Sequence, residues 1–213
     1  MTNETKSATS RTYKKRVRAE QEEATRERIT EAAVKLHGSI GPARTTVSGV
    51  AEEAGVQRAT VYRHFPDEVA LFAACTAHYW ARNPLPDIES WKEIRDRGER
   101  LRHGIADFYE FYSQNEPMLE KTGRDAHLVP AMDAPRQAIF AFLDAAAGIL
   151  MKGRPERGAA RRRTAAAVSH ALLFATWQSL VRAQGLSNAE AAAVMVAMVE
   201  GAGSARPPRS VHA

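Results

Sequence analysis

The run TTVSGVAEEAGVQRATVYRHFPDEVALF, residues 45–72, constrains the fold more than any other part of the chain. Three of its residues fix a geometry. Ala51 is small, Gly55 tolerates positive φ because it lacks a Cβ, and Val61 is apolar. Two short helices crossing near a right angle need all three: a small side chain at the crossing, a turn that reverses the backbone, and an apolar anchor facing back. Val50, Ala54 and Val56 are spaced to fill the gap. The pattern predicts a helix capped by Thr45 or Thr46, a turn at Gly55, and a short helix from Gln57 that Pro66 stops. A fourth helix, capped by Asp67, should run to about Trp80. Alone, this spacing fits either a helix-turn-helix or a purely structural αα-hairpin.

The polar residues favour the first. With Val61 turned inward, Gln57, Arg58, Thr60, Tyr62, Arg63 and His64 stay largely free. All can hydrogen-bond to phosphates or base edges, and a helix of this size fits the major groove of duplex DNA. Arg44, just before the second helix, is a further candidate for phosphate or the minor groove, and Ser48 a weaker one.

This stretch resembles the DNA-binding domain of the TetR family of bacterial transcriptional regulators. The likeness covers about residues 25–80 and is carried by GV-x-x-x-T-x-YRHF. It implies an N-terminal three-helix DNA-binding unit, a fourth connecting helix and an all-α effector-binding and dimerisation domain. It also implies a homodimer and repression relieved by a small molecule. By resemblance, Thr46 touches phosphate with Thr45 nearby. Gln57, Arg58 and Thr60 face the groove, Tyr62 and His64 bind the backbone, and Phe65 is core. One departure is Glu68, which stands where the family often has lysine.

The net charge of +5 has a location. Residues 1–18 hold Lys6, Arg11, Lys14, Lys15, Arg16 and Arg18 against the single acid Glu4, so the remainder is neutral. That segment reads as a flexible basic arm, either merely solvated or meeting DNA. The single cysteine, Cys75, excludes an intramolecular disulfide and any multi-cysteine metal site. The N-terminus lacks the apolar segment of a signal peptide, and no run approaches a membrane span, so a soluble, cytoplasmic protein is expected.

Ala, Leu, Glu and Arg dominate between the glycines and prolines, and no alternating β-branched run argues for a sheet, so the fold class is all-α. The expected organisation is a flexible arm (1–22), a helix-turn-helix domain (23–66), a connecting helix and linker (67–86), a helical effector and dimer domain (87–200) and a disordered tail (201–213). In the first helix Ala24, Ile29, Ala32, Ala33 and Leu36 share a face. Later helices are expected over about 88–114, after Pro117 to near His127, 131–151, 159–184 and 188–200.

Trp91, Phe108, Tyr112, Met118, Met132, Phe140 and Trp177, with Leu119 and Leu143, could line an apolar effector cavity or simply form core. Polar candidates there are His103, Asp107, Arg124, Asp125, His127, His170 and Gln178. The small and apolar stripes holding Ala167, Ala171, Phe174, Trp177 and Val181, and Ala191, Val194, Met195 and Met198, want partners. By resemblance they supply a dimer bundle, with Ala171, Phe174, Val194, Met195 and Met198 at its interface. His103 and Asp107, four apart, are a weak metal pair without a third ligand. The basic run at Arg161, Arg162 and Arg163 reads as a solvated loop.

No nucleophile–base motif, phosphate-cradling glycine loop or HExxH run occurs, so neither catalysis nor a cofactor nor a metal is expected. The leading function is a ligand-responsive, sequence-specific regulator of transcription, most simply a repressor on a palindromic operator. Its partners would be duplex DNA, an apolar effector and a second copy. The alternatives are an architectural DNA binder with little sequence preference and a small helical enzyme.

Overall fold

A computed structural model describes residues 4–205, with side chains described from Tyr13 onward apart from Lys14. The fold is all-α. The described residues form two compact units, one up to residue 83 with 120–135, and one of 84–119 with residues from 136 on. No helix among them is long and apolar enough to cross a membrane.

The first unit opens with α1 (Glu4–Ser39), α2 (Val47–Glu53), α3 (Arg58–His64) and α4 (Glu68–Arg82). The basic segment, expected to be a flexible arm over 1–22, is instead helical from Glu4. Its composition explains this. Arg16 meets Glu20 at 3.5 Å and Arg18 meets Glu22 at 3.1 Å, both one helical turn apart. The later turns of α1 bury Ile29, Ala32 and Ala33, whereas Ala24 faces solvent.

α2 and α4 have local start signals, whereas α3 has no side-chain cap. The Thr46 hydroxyl accepts the Gly49 amide at 3.1 Å, and the Asp67 carboxylate accepts the Ala70 amide at 2.7 Å. Helices of seven residues are marginal on their own, so packing must hold them. Val50, Ala51, Val61 and Phe65 join Ile29, Ala32, Ala33, Leu71 and Cys75 in one buried cluster. Fully burying a side chain of this size contributes roughly 1.5–3 kcal/mol.

The boundary between the units differs from the one expected. Residues 120–135 belong with the N-terminal unit rather than the second domain. The last turn of α5 (Arg97–Asp125) and a 3-10 turn at Pro130–Met132 supply this insertion, and the turn packs against α4. The cause is a polar clamp. The Asp125 Oδ2 accepts the Ala43 amide at 3.0 Å, and the Arg124 guanidinium donates to the Ile40 carbonyl at 3.1 Å.

The second unit contains most of α5 and of α6 (Asp133–Leu150), then α7 (Gly158–Ala171), α8 (Phe174–Gln178) and α9 (Asn188–Ala202). Two elements depart from expectation. α5 is continuous through Pro117, where a break was predicted. An interior proline costs about 3 kcal/mol, and the buried row Leu101, Ile105, Phe108, Tyr112 and Asn115 offsets it. Conversely, the long helix expected over 159–184 is interrupted at Leu172–Leu173. There Tyr112 donates its hydroxyl to the Leu172 carbonyl, and Thr176 donates to the His170 carbonyl at 2.6 Å. The His170 carbonyl also accepts the Leu173 amide at 3.2 Å, three residues on instead of four, and the α-helical ladder stops there. A π-helical turn, Ser179–Ala183, follows α8. α9 begins with a full capping box between Ser187 and Glu190. The tail expected to be disordered lies, from residue 206 on, outside the described residues.

Candidate nucleic-acid interface

The crossing of α2 and α3 has the geometry that the spacing predicted. Ala51 is 4% exposed and Val61 1% exposed, and both lie in the same cluster. Gly55 carries φ +65°, in the left-handed region. The Val56 amide donates to the Ala51 carbonyl at 2.9 Å and closes the turn.

The opposite side of α3 is polar. Gln57, Arg58, Tyr62 and Arg63 are exposed, and Thr60 is half-buried. Arg58 donates to the Tyr62 hydroxyl at 3.1 Å, and its guanidinium lies 5.5 Å from the Tyr62 ring centroid. The two side chains therefore present a joined donor surface. No carboxylate occurs on α3. Ahead of α2, Arg44 and Thr46 are exposed and Thr45 is half-buried. Thr45 donates to the Gly41 carbonyl at 2.9 Å.

His64 departs from the expected role. Its ring is half-buried and its Nε2 is enclosed without a hydrogen-bond partner, so that atom is turned away from any outer phosphate. Its carbonyl accepts Arg26 at 2.8 Å, and the Arg26 guanidinium lies 4.3 Å from the Phe65 ring centroid. Arg26 thus locks the end of α3 to α1, a role with no signal in local sequence.

Arg124 and Asp125 were expected among polar groups of an effector cavity. They instead hold the loop that leads into α2. Asp125 is 2% exposed and also accepts Arg124 Nε at 2.6 Å. The Arg124 hydrogen bond, followed by the Ala43 amide, holds the Asp125 carboxyl below the usual carboxylate range. Gly41 has φ +95°, and a Cβ there would overlap both side chains. The Gly41-Pro42 pair was the available clue. His127 is exposed in this unit.

In the second unit, Trp91, Phe108, Tyr112 and Trp177 come together as a buried ring cluster. Centroid distances are 5.9 Å for Trp91–Phe108, 5.6 Å for Phe108–Tyr112 and 6.1 Å for Tyr112–Trp177. Met118 is half-buried. Two other expected cavity residues do not join them. Phe140 is 51% exposed on α6, and Met132 is buried in the first unit. The wide apolar face of α6 allows more than one orientation of its stripe, and Phe140 falls outside it. Asp107 accepts Trp91 Nε1 at 2.7 Å and His103 stands 3.4 Å away. That carboxylate serves the tryptophan. His170 is exposed and Gln178 half-buried.

The expected dimer residues also divide. Val194 and Met198 are exposed on α9 and Phe174 is half-buried, but Ala171 and Met195 are buried within their own chain. α7 and α9 pack against each other, and Ala171 and Met195 are buried inside the subunit.

A short helix held by a small–glycine–aliphatic crossing, with an uncharged-to-basic polar face outward, defines a helix-turn-helix DNA-binding protein. Residues 29–75 match the family model described as bacterial regulatory proteins, tetR family. The match identifies the N-terminal domain as that of the TetR family of DNA-binding transcription regulators. No curated protein is significantly similar to it. Among solved structures, a HlyIIR mutant protein with residues 169–186 replaced by a linker is 18% identical, with 88% of this chain and 99% of that chain covered at TM-score 0.56. A putative fatty acid metabolism regulator of Clostridium perfringens is 16% identical, with 81% and 96% covered at TM-score 0.58. The regulator FadR of Bacillus subtilis, solved with stearoyl-CoA, is 18% identical, with 84% and 97% covered at TM-score 0.54. At these identities the likeness is one of fold.

Proposed function

We propose that the chain is a ligand-responsive, sequence-specific repressor that binds a palindromic operator as a homodimer. The observation that carries this is the division of α3: Val61 is buried at the crossing while Gln57, Arg58, Tyr62 and Arg63 face out. In this reading Gln57, Arg58 and Thr60 enter the major groove. Arg44, Thr45, Thr46, Tyr62 and Arg63 meet the backbone, and His64 contributes less than its sequence position suggested. A pair of such helices about 34 Å apart would meet successive turns of one DNA face. The exposed Val194 and Met198 are the surface a second copy would cover.

In this reading the effector is largely apolar and would have to part the buried ring cluster of Trp91, Phe108, Tyr112 and Trp177 in the second unit. The fold likeness to a regulator solved with stearoyl-CoA supports an apolar ligand class without fixing its identity. Asp125 supports a route for response. It closes the loop before α2 and ends the same helix whose earlier turns carry Phe108 and Tyr112. A ligand acts here only through different affinities for two conformers of that helix.

The test is a footprint of the purified chain on the DNA flanking its own gene, followed by affinities for the protected fragment and for random DNA at one salt concentration. A ratio of about 10³ or more is expected. A ratio near one would make it an architectural binder instead.

A further inference from the structure

The first unit contains a crevice of about 380 Å³; apart from Thr45 and Thr46 at its edge, the DNA-binding reading does not use its lining. It opens between the start of α2, the first turn of α4 and the segment after α5, and its size lies in the range of small-molecule sites. Its walls mix polar and apolar groups, and Val47, Leu71, Phe72, Leu128 and Val129 supply the apolar part. The floor is stiffened by His37, which is buried and stacks on the Phe72 ring at a centroid distance of 4.6 Å. Burial pushes the His37 pKa down to about 4, so the ring is neutral at physiological pH. Thr45 and Thr46 also line the crevice, but their hydroxyls already serve Gly41 and Gly49. One formal charge remains on the lining, the carboxylate of Glu68.

We propose that this crevice is a small-molecule site for a compact aromatic or apolar cation, with its charge against Glu68 and its body among Val47, Leu71, Phe72 and Leu128. A lone carboxylate on an apolar wall discriminates by sign: a cation gains attraction, a neutral isostere gains only burial, and an anion is repelled. The site shares no residue with the ring cluster of the second unit, and of the proposed DNA contacts it shares only Thr45 and Thr46.

The test uses the full chain with 13C-labelled Val and Leu methyl groups and three probes. Phenyltrimethylammonium is the cation, tert-butylbenzene its uncharged isostere, and benzenesulfonate the anion. Phenyltrimethylammonium should shift the methyls of Val47, Leu71, Leu128 and Val129 in a saturable way, with the isostere weaker and the sulfonate without effect. Glu68 is exposed, so Glu68→Gln should fold normally and weaken the cation about fivefold, with no change for the isostere. Glu68→Lys should abolish cation binding. Absence of saturable shifts at these methyls, equal binding of cation and sulfonate, or an unchanged cation affinity in Glu68→Gln would each overturn the proposal.

Discussion

Removing the Asp125 carboxylate tests how the loop before α2 is held. The Ala43 amide donates to Asp125 Oδ2 at 3.0 Å, and the acceptor is charged and 2% exposed. A hydrogen bond to a charged group is worth about 1.5–3 kcal/mol. In Asp125→Ala, Arg124 can rehydrate at the surface, so the cost should be set by the Ala43 bond, at about 2 kcal/mol. For a chain of this length that lowers Tm by about 4–8 °C. Gly41→Ala attacks the same contact from the other side. It forces a Cβ into φ +95° and into the space of Asp125 and Arg124, so it should cost at least as much. Gly55→Ala is the control. Gly55 also has positive φ, but nothing lies within 4 Å of a Cβ placed there, so only backbone strain of about 1 kcal/mol is expected. Thermal denaturation by circular dichroism measures all three, and amide exchange at Ala43 localises the effect. The Asp125 pKa is depressed in the folded state, so its contribution is complete above the unfolded value of about 3.9 and is lost as pH falls through the folded value. A Tm for Asp125→Ala within about 1 °C of wild type would refute the clamp. So would a Gly41→Ala variant no worse than Gly55→Ala.

Four further outcomes are expected. Arg58→Ala should leave Tm nearly unchanged and weaken binding to the footprinted fragment by roughly 1–3 kcal/mol in a gel-shift titration; Val61→Ala, by contrast, should lower Tm, because Val61 is 1% exposed. Deleting residues 1–18 should reduce the slope of log affinity against log salt by about 0.9 for every phosphate that the segment neutralises, and an unchanged slope would remove this segment from DNA binding. Tyr112→Phe should cost about 1–3 kcal/mol in chemical denaturation, because the Leu172 carbonyl loses its hydroxyl donor. His37 has a folded pKa of about 4 against 6.5 unfolded, so its contribution is complete above pH 6.5 and is lost as pH falls toward 4, by up to ~3 kcal/mol; His37→Phe should flatten that part of a stability–pH curve.

What the sequence made legible was local. Thr46, Asp67 and Ser187 cap the helices they precede, because a cap needs only an oxygen a few residues from an orphan amide. The Ala51–Gly55–Val61 crossing was legible for the same reason, since all its parts lie within eleven residues of chain. The failures are long-range. The interruption at Leu172–Leu173 depends on Tyr112, which lies 60 residues away. The continuity of α5 through Pro117 depends on the burial of its neighbours, against a local propensity that argues for a break. In both cases tertiary contacts outweigh the intrinsic preference of the backbone.

The same distinction governs the candidate sites. Outward polar residues on α3 could be assigned by subtraction, once Val61 was known to face in. Subtraction fails for a buried polar residue, because its partner has to be known. Asp125 is bonded to an amide 82 positions earlier, and nothing near residue 125 announces it. It fails again for apolar residues of the second unit. A cavity wall and a packed core want the same side chains, so Trp91 and Phe140 looked equivalent in sequence although one is fully buried and the other half exposed. Only an element whose two faces differ in chemistry, as those of α3 do, lets the sequence say which residues are left for a partner.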